Sequence, residues 1–269
     1  MKKLAFGLAA TAAFAGQIGS QAIAADMPAQ VSKTPPPVVA PVANWTGCYV
    51  GGGGGYGLFH QENTGYFDGP PRVQISDTFS NSGKGGFGTV QGGCDYQFNI
   101  GTWGIVVGGF ADYDFADING KRSDIINAAV GNEKLSSQWA VGGRVGMLVN
   151  PQLLTFVTAG YVEAKFDRTN WTNLFGPPFN VANGFYTDGS TFKGWFLGTG
   201  DEWALSFLPG LYWKNEYRAS HMDRQNQPVL VVFNGARTGI SYDAEKWIHT
   251  VRTELVYRFN WGGPIGAKY

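Results

Sequence analysis

The residues best placed to do chemistry sit first in the run "NWTGCYVGGGGGYGLFH", 44–60. It contains the spacing G-x-G-x-x-G at Gly52, Gly54 and Gly57. Such a loop cradles a dinucleotide when a helix follows it and an acidic residue lies about 20 positions on. No helical pattern follows here, so the spacing carries no nucleotide reading. His60, His221 and His249 are the three histidines, and no HxxxH or HxxE pair joins them. No metal site and no cofactor is therefore expected. Asp112 and Asp114 lie two apart on one strand face. With His221 they would supply the carboxylates and base of a protease or acyltransferase. Packing of these residues inside the fold is the preferred reading, because such triads are defined by geometry, and the chain is not expected to be an enzyme. Cys48 and Cys94 are the two cysteines and form no CxxC. An even count in an exported chain suggests a disulfide; two separate thiols is the alternative.

These residues must be held by strands. Eight alternating segments follow Asn44: about 45–59, 86–100, 103–116, 138–149, 153–166, 192–205, 211–219 and 247–259. Three connections are short: "NIGT", "NPQ" and "SFLPG". The other four, around 61–85, 117–137, 167–191 and 220–246, are long, and short alternates with long. An up-and-down meander with its turns at one end and its loops at the other would do this, as in membrane barrels. The faces agree. In 138–149, Trp139, Val141, Val145, Met147 and Val149 oppose Gln138, Ala140, Arg144 and Gly146. One face is apolar with aromatics near its ends, and the other is small or charged. The expected fold is all-β, an eight-stranded antiparallel up-and-down transmembrane β-barrel with lipid outside and paired ions inside.

On that parity a lumen charge network is expected from Asp95, Asp112, Asp114, Glu163, Glu202, Glu216 and Glu254 against Arg144, Lys165, Lys214, Arg218, Arg252 and Arg258. Two readings stay open: a selectivity lining for small ions, or mutually satisfied pairs that plug the barrel. The second is preferred, since buried charges need partners. Gly51, Gly53, Gly55 and Gly57 would face inward as a bare wall that leaves room for those side chains. Cys48 and Cys94 fall on the lipid-facing parity of neighbouring strands. Asp201 falls there too, where a carboxylate is costly away from the interface.

Compartment is set by the first residues. Lys2 and Lys3, the apolar stretch "LAFGLAATAAFAG" and the small residues Ala22 and Ala24 read as a signal peptide over 1–24. A Pro-rich segment, 25–43, precedes the barrel, 44–269. Losing Lys2 and Lys3 leaves 18 of the 20 basic residues against 20 acidic ones. That balance gives no electrostatic footprint for nucleic acid. Charged residues are 15% and glycines number 40, unlike a usual soluble domain at roughly 25% charged.

"NWTGCYVGGGGGYG" resembles the first strand of the alphaproteobacterial outer-membrane β-barrel proteins, the RopB-like, porin-family or immunogenic outer-membrane group. "FGTVQGGCDYQ", "WAVGGRVGML", "LLTFVTAGY" and "VRTELVYRFNWGG" are similar to its later strands. The resemblance runs from Asn44 to the C-terminus. It implies a barrel like the membrane domain of OmpA, without that protein's periplasmic domain. The expected place is the cell outer membrane, among its lipids. The expected role is structural or surface-interacting, with the lumen largely plugged and an unidentified extracellular partner at the long loops; a narrow porin for small solutes or ions is the alternative. The aromatic stretch "NWTNLFGPPFNVANGFYTDG", 170–189, is the loop that would either meet such a partner or fold over the mouth.

Overall fold

The computed structural model describes residues 43–124, 128–173 and 181–259, all within the compact unit Ala40–Tyr269. The expected signal peptide and almost all of the Pro-rich segment lie outside the described residues. Eleven strands follow in order: β1 (Gly47–Phe67), β2 (Val73–Gln74), β3 (Phe79–Ile100), β4 (Trp103–Asp124), β5 (Ala129–Asn150), β6 (Leu153–Phe166), β7 (Thr169–Asn173), β8 (Ala182–Thr187), β9 (Ser190–Ala204), β10 (Leu211–Val231) and β11 (Arg237–Phe259). Every pairing is antiparallel. The order β11-β1-β3-β4-β5-β6-β9-β10 returns to β11, which closes a ring of eight long strands. β7 and β8 continue the wall above β6 and β9 by pairing with β5 and β10. A closed ring leaves no unpaired edge among its strands, the condition for crossing hydrocarbon without stranded backbone donors.

The long connections differ from expectation. Most of 61–85, 117–137 and 220–246 is strand, so β1, β3, β4, β5, β10 and β11 each run well past the ends read from the sequence. The reason is a change of phase. Down to the short-turn end, the outer face is apolar: Val141, Val145, Val157, Leu197, Val251 and Leu255 are all exposed. Beyond Phe115 the outer face turns polar (Asp117, Asn119, Lys121), while Ile118 and Leu135 are buried inside. The alternation persists but inverts, because the outer face there meets water instead of lipid.

Two belts of exposed aromatics bound the apolar zone. Tyr96, Trp103, Trp203, Trp213 and Tyr257 mark the short-turn end; Tyr56, Tyr113, Phe115, Trp139, Tyr161 and Trp195 mark the other. Trp139 packs on Tyr161 at 5.6 Å, and Tyr113 on Phe115 at 4.8 Å. Apolar band, aromatic girdles and charged interior together are the build of an outer-membrane barrel.

Candidate functional site

The lumen is filled in layers, each set by the inward phase of the strands. At the short-turn end Trp45 packs on Tyr212 at 4.8 Å, with Val106, Leu154 and Val256 buried beside them. The Tyr212 hydroxyl donates to the Asn44 carbonyl at 3.1 Å. This layer seals the barrel floor.

Above it, Asp95, Arg144, Glu202 and Arg258 form a closed circuit. Arg144 bonds both oxygens of Asp95, through Nε at 2.9 Å and through Nη2, and reaches Glu202 from Nη1 at 2.8 Å. Arg258 bonds Asp95 at 2.6 Å and Glu202 at 2.7 Å. All four side chains are buried. Tyr49 lies under both guanidinium groups, each 4.9 Å from its ring.

A second ionic layer joins β4, β10 and β11. Arg218 meets Asp112 at 2.8 Å and Glu216 at 3.1 Å. Arg252 meets Asp114 at 2.9 Å. Lys214 meets Glu216 at 2.9 Å and donates to Gln91 at 2.9 Å, while Gln91 donates to Glu254. Thr158 donates to Glu216 at 2.9 Å. These groups too are out of solvent.

Next comes an apolar layer that sequence reasoning missed. Phe166 packs edge-on against Phe59 at 5.3 Å and Phe192 at 5.6 Å. Ile118, Leu135, Met222 and Ile248 are buried with them. Extending the strand parity past the aromatic girdle would have found it. A third polar layer lies above: Lys246 bonds Glu133 at 2.7 Å, and Arg122 donates to Gln227 at 2.6 Å.

Of the expected lumen charges, Asp95, Asp112, Asp114, Arg144, Glu202, Lys214, Glu216, Arg218, Arg252, Glu254 and Arg258 point inward and are brought together. Glu163 and Lys165 do not join them, which corrects the expected network. They share the outer face of β6 with Tyr161, whose hydroxyl donates to Glu163 at 2.6 Å, and Lys193 lies 3.7 Å from Glu163. Charge marked them as inward, but just beyond the girdle an outer charge is solvated. The bare wall of β1 is also differently used. Its inward glycines make room for the neighbouring backbone and for rings and alkyl groups: a Cβ on Gly55 would lie 2.2 Å from the Val251 carbonyl oxygen and 2.6 Å from Phe87 Cζ, and one on Gly57 2.7 Å from Ile118 Cδ1.

Cys48 and Cys94 are opposite one another on β1 and β3 and are bridged, with Cα atoms 3.9 Å apart. Asp201 is on the outer face near the short turns, where it accepts from Trp203 Nε1 at 2.9 Å. Asp112 and Asp114 are engaged by arginines in the lumen, and His221 pairs outside with Glu245 at 2.9 Å, so the three do not form a rim constellation. The described residues hold no cluster of three or more His, Cys, Asp and Glu fit for a metal ion. Part of the aromatic stretch, 174–180, lies outside the described residues. Trp171 within it turns inward, donates to Thr187 at 3.1 Å and lies 5.6 Å from Arg122.

Beyond the girdle, on the outer wall, small ion pairs hold neighbouring strands. Asp243 is held below the usual carboxylate range by hydrogen bonding from Arg72, at 2.7 Å. Hydrogen bonds from Lys134, at 2.8 Å, and Asn119 do the same for Asp117. His221 and Arg224 lower Glu245.

No family model matches the chain, and no curated protein matches it. Among solved structures, it is similar to the outer membrane protein OprG from Pseudomonas aeruginosa, with 9% identity, a TM-score of 0.47, and coverage of 81% of this chain and 100% of that one. It is also similar to Ail, the attachment invasion locus protein of Yersinia pestis, with 11% identity, a TM-score of 0.30 and coverage of 78% and 99%. The outer membrane protease OmpT from Escherichia coli matches with 11% identity, a TM-score of 0.31 and coverage of 78% and 97%. Likeness at this level adds nothing to the register, on which the barrel stands.

Proposed function

We propose that this chain is an integral protein of the outer membrane whose barrel is a closed anchor, not a pore. Its role is structural and surface-facing: the eight-stranded wall is fixed in lipid and carries its strand extensions and their tips beyond the outer girdle. The observation that carries this reading is the layered lumen. Two ion-paired layers lie between the Trp45–Tyr212 floor and the Phe59–Phe166–Phe192 layer. A hydrated path would have to displace both apolar layers and pull apart buried ion pairs whose members satisfy one another. A dry apolar constriction also resists ions by dewetting.

Purified, refolded protein in a planar bilayer tests this. The closed reading expects membrane insertion with no steady unitary conductance. Steady open channels, altered when Arg144 or Arg252 is replaced, would instead make it a narrow porin. The exposed tip Val232–Phe233 is one surface available to an extracellular partner.

A further inference from the structure

Four cations on the outer wall above the girdle have a carboxylate partner. Arg72 is paired with Asp243, Lys134 with Asp117, Lys193 with Glu163 and Arg224 with Glu245. Lys84 on β3, Lys121 on β4 and Lys165 on β6 have no carboxylate within ion-pair distance among the described residues, and the first two stand side by side. Strand register makes them diagonal neighbours. One row across the wall reads His60, Ser82, Lys121, Asn132, and the next row toward the membrane reads Leu58, Lys84, Asn119, Lys134. Both lysines are exposed. They line one groove of ≈ 670 Å³ with His60, Ser82, Asn119 and Asn132. The neighbouring acids are Asp117, which is already bonded by Lys134 and Asn119, and Glu62, one row farther out beside Ser80.

The groove opens directly onto the hydrocarbon zone. Below Lys84 the next rows are Tyr56–Gly86–Asp117 and Gly54–Gly88–Phe115. Tyr56 and Phe115 belong to the girdle. Between them Gly86 and Gly88 leave the outer face bare, and the fold does not demand it: a Cβ there would meet nothing nearer than 3.7 Å and 3.9 Å. This contrasts with the inward glycines, where a side chain would collide.

We propose that this groove is a binding site for a phosphate-bearing lipid of the outer leaflet, which rests on the reading of the barrel as lipid-embedded. The lipid phosphate is held by Lys84 and Lys121, with hydrogen bonds from His60 and Asn132, and an acyl chain lies along the bare strip at Gly86 and Gly88 between Tyr56 and Phe115. Charge complementarity selects the headgroup, and height against the girdle selects a lipid over a soluble anion. Each lysine near a membrane surface attracts anionic lipid, and two together predict a preference of about tenfold or more.

The test is native mass spectrometry of the full chain, refolded in detergent, with phosphatidic acid or chain-matched phosphatidylcholine, and with inorganic phosphate as competitor. The wild-type protein is expected to retain phosphatidic acid about tenfold over phosphatidylcholine and to keep it against inorganic phosphate. Lys84→Gln/Lys121→Gln is expected to bring the two lipids to near parity. Lys165→Gln/Lys193→Gln, outside the groove, is expected to leave the preference intact. A wild-type protein without preference, or a groove variant that keeps it, overturns the site. Release of the lipid by inorganic phosphate overturns the lipid and leaves an anion site. Heat-modifiable gel mobility is recorded on the same samples: an intact barrel without preference rejects only the lipid site, whereas loss of that mobility in the wild type rejects the barrel itself.

Discussion

Arg144 and Arg258 hold the same two carboxylates. Each bonds Asp95 and Glu202, and the four residues come from β5, β11, β3 and β9, every second strand of the ring. The circuit therefore braces the barrel across its diameter, as inward layers drawn from alternate strands do in small barrels.

Breaking that circuit on one side leaves buried charge without a partner. Arg144→Ala is expected to cost roughly 3–5 kcal/mol, read as a lower urea midpoint in refolding followed by gel mobility. Lys165→Ala, on the outer face of β6, is expected to fall within about 0.5 kcal/mol of wild type. Equal effects from the two would contradict the assignment of faces.

Glycines on β1 and β3 are expected to tolerate substitution by side. Gly55→Leu drives a side chain into the Val251 carbonyl and Phe87 and is expected to destabilise by about 1–3 kcal/mol or to block refolding. Gly88→Leu, pointing at lipid in open space, is expected to be near neutral. The same urea series distinguishes them.

Reduction should act on the bridge across β1 and β3. Cys48 and Cys94 enclose a separation of 46 residues, and cross-links over such loops typically contribute about 2–4 kcal/mol by restricting the unfolded chain. The Cys48→Ser/Cys94→Ser protein is expected to refold to the same barrel with a lower midpoint, and wild type in reductant should match it.

Acid should loosen the outer rim first. Asp243, Asp117 and Glu245 have carboxyls held below their ordinary values. A lowered carboxylate contributes stability above its unfolded pKa of about 4 and loses it as pH falls through the lower folded value. Hydrogen exchange in 68–78 and 241–245 is thus expected to be flat from neutral pH down to about 4, after correction for intrinsic rates, and to rise below that. A rise that begins near pH 6 would point to another group.

The barrel was legible in the sequence because lipid and lumen impose opposite chemistry on alternate residues. Trp139, Val141 and Val145 against Arg144 are enough to set the phase of β5, and the same parity placed Cys48 opposite the lumen beside Cys94. Legibility failed where the outer environment changes. Above the girdle the wall is polar outside and apolar inside, so Ile118 and Leu135 fell in a segment read as loop, and Glu163 and Lys165 read as lumen. The Phe59–Phe166–Phe192 layer was missed for the same reason: the parity was not carried past the girdle, where these rings turn inward.

The alternation itself is the most direct thing to measure. Single spin labels placed in turn at positions 139–147, in a Cys48→Ser/Cys94→Ser background in lipid bilayers, report collision with dissolved oxygen. An oscillation with the strand's period of two is expected, its maxima at residues 139, 141, 143, 145 and 147. Maxima at the intervening positions, or a profile with no oscillation, would contradict it.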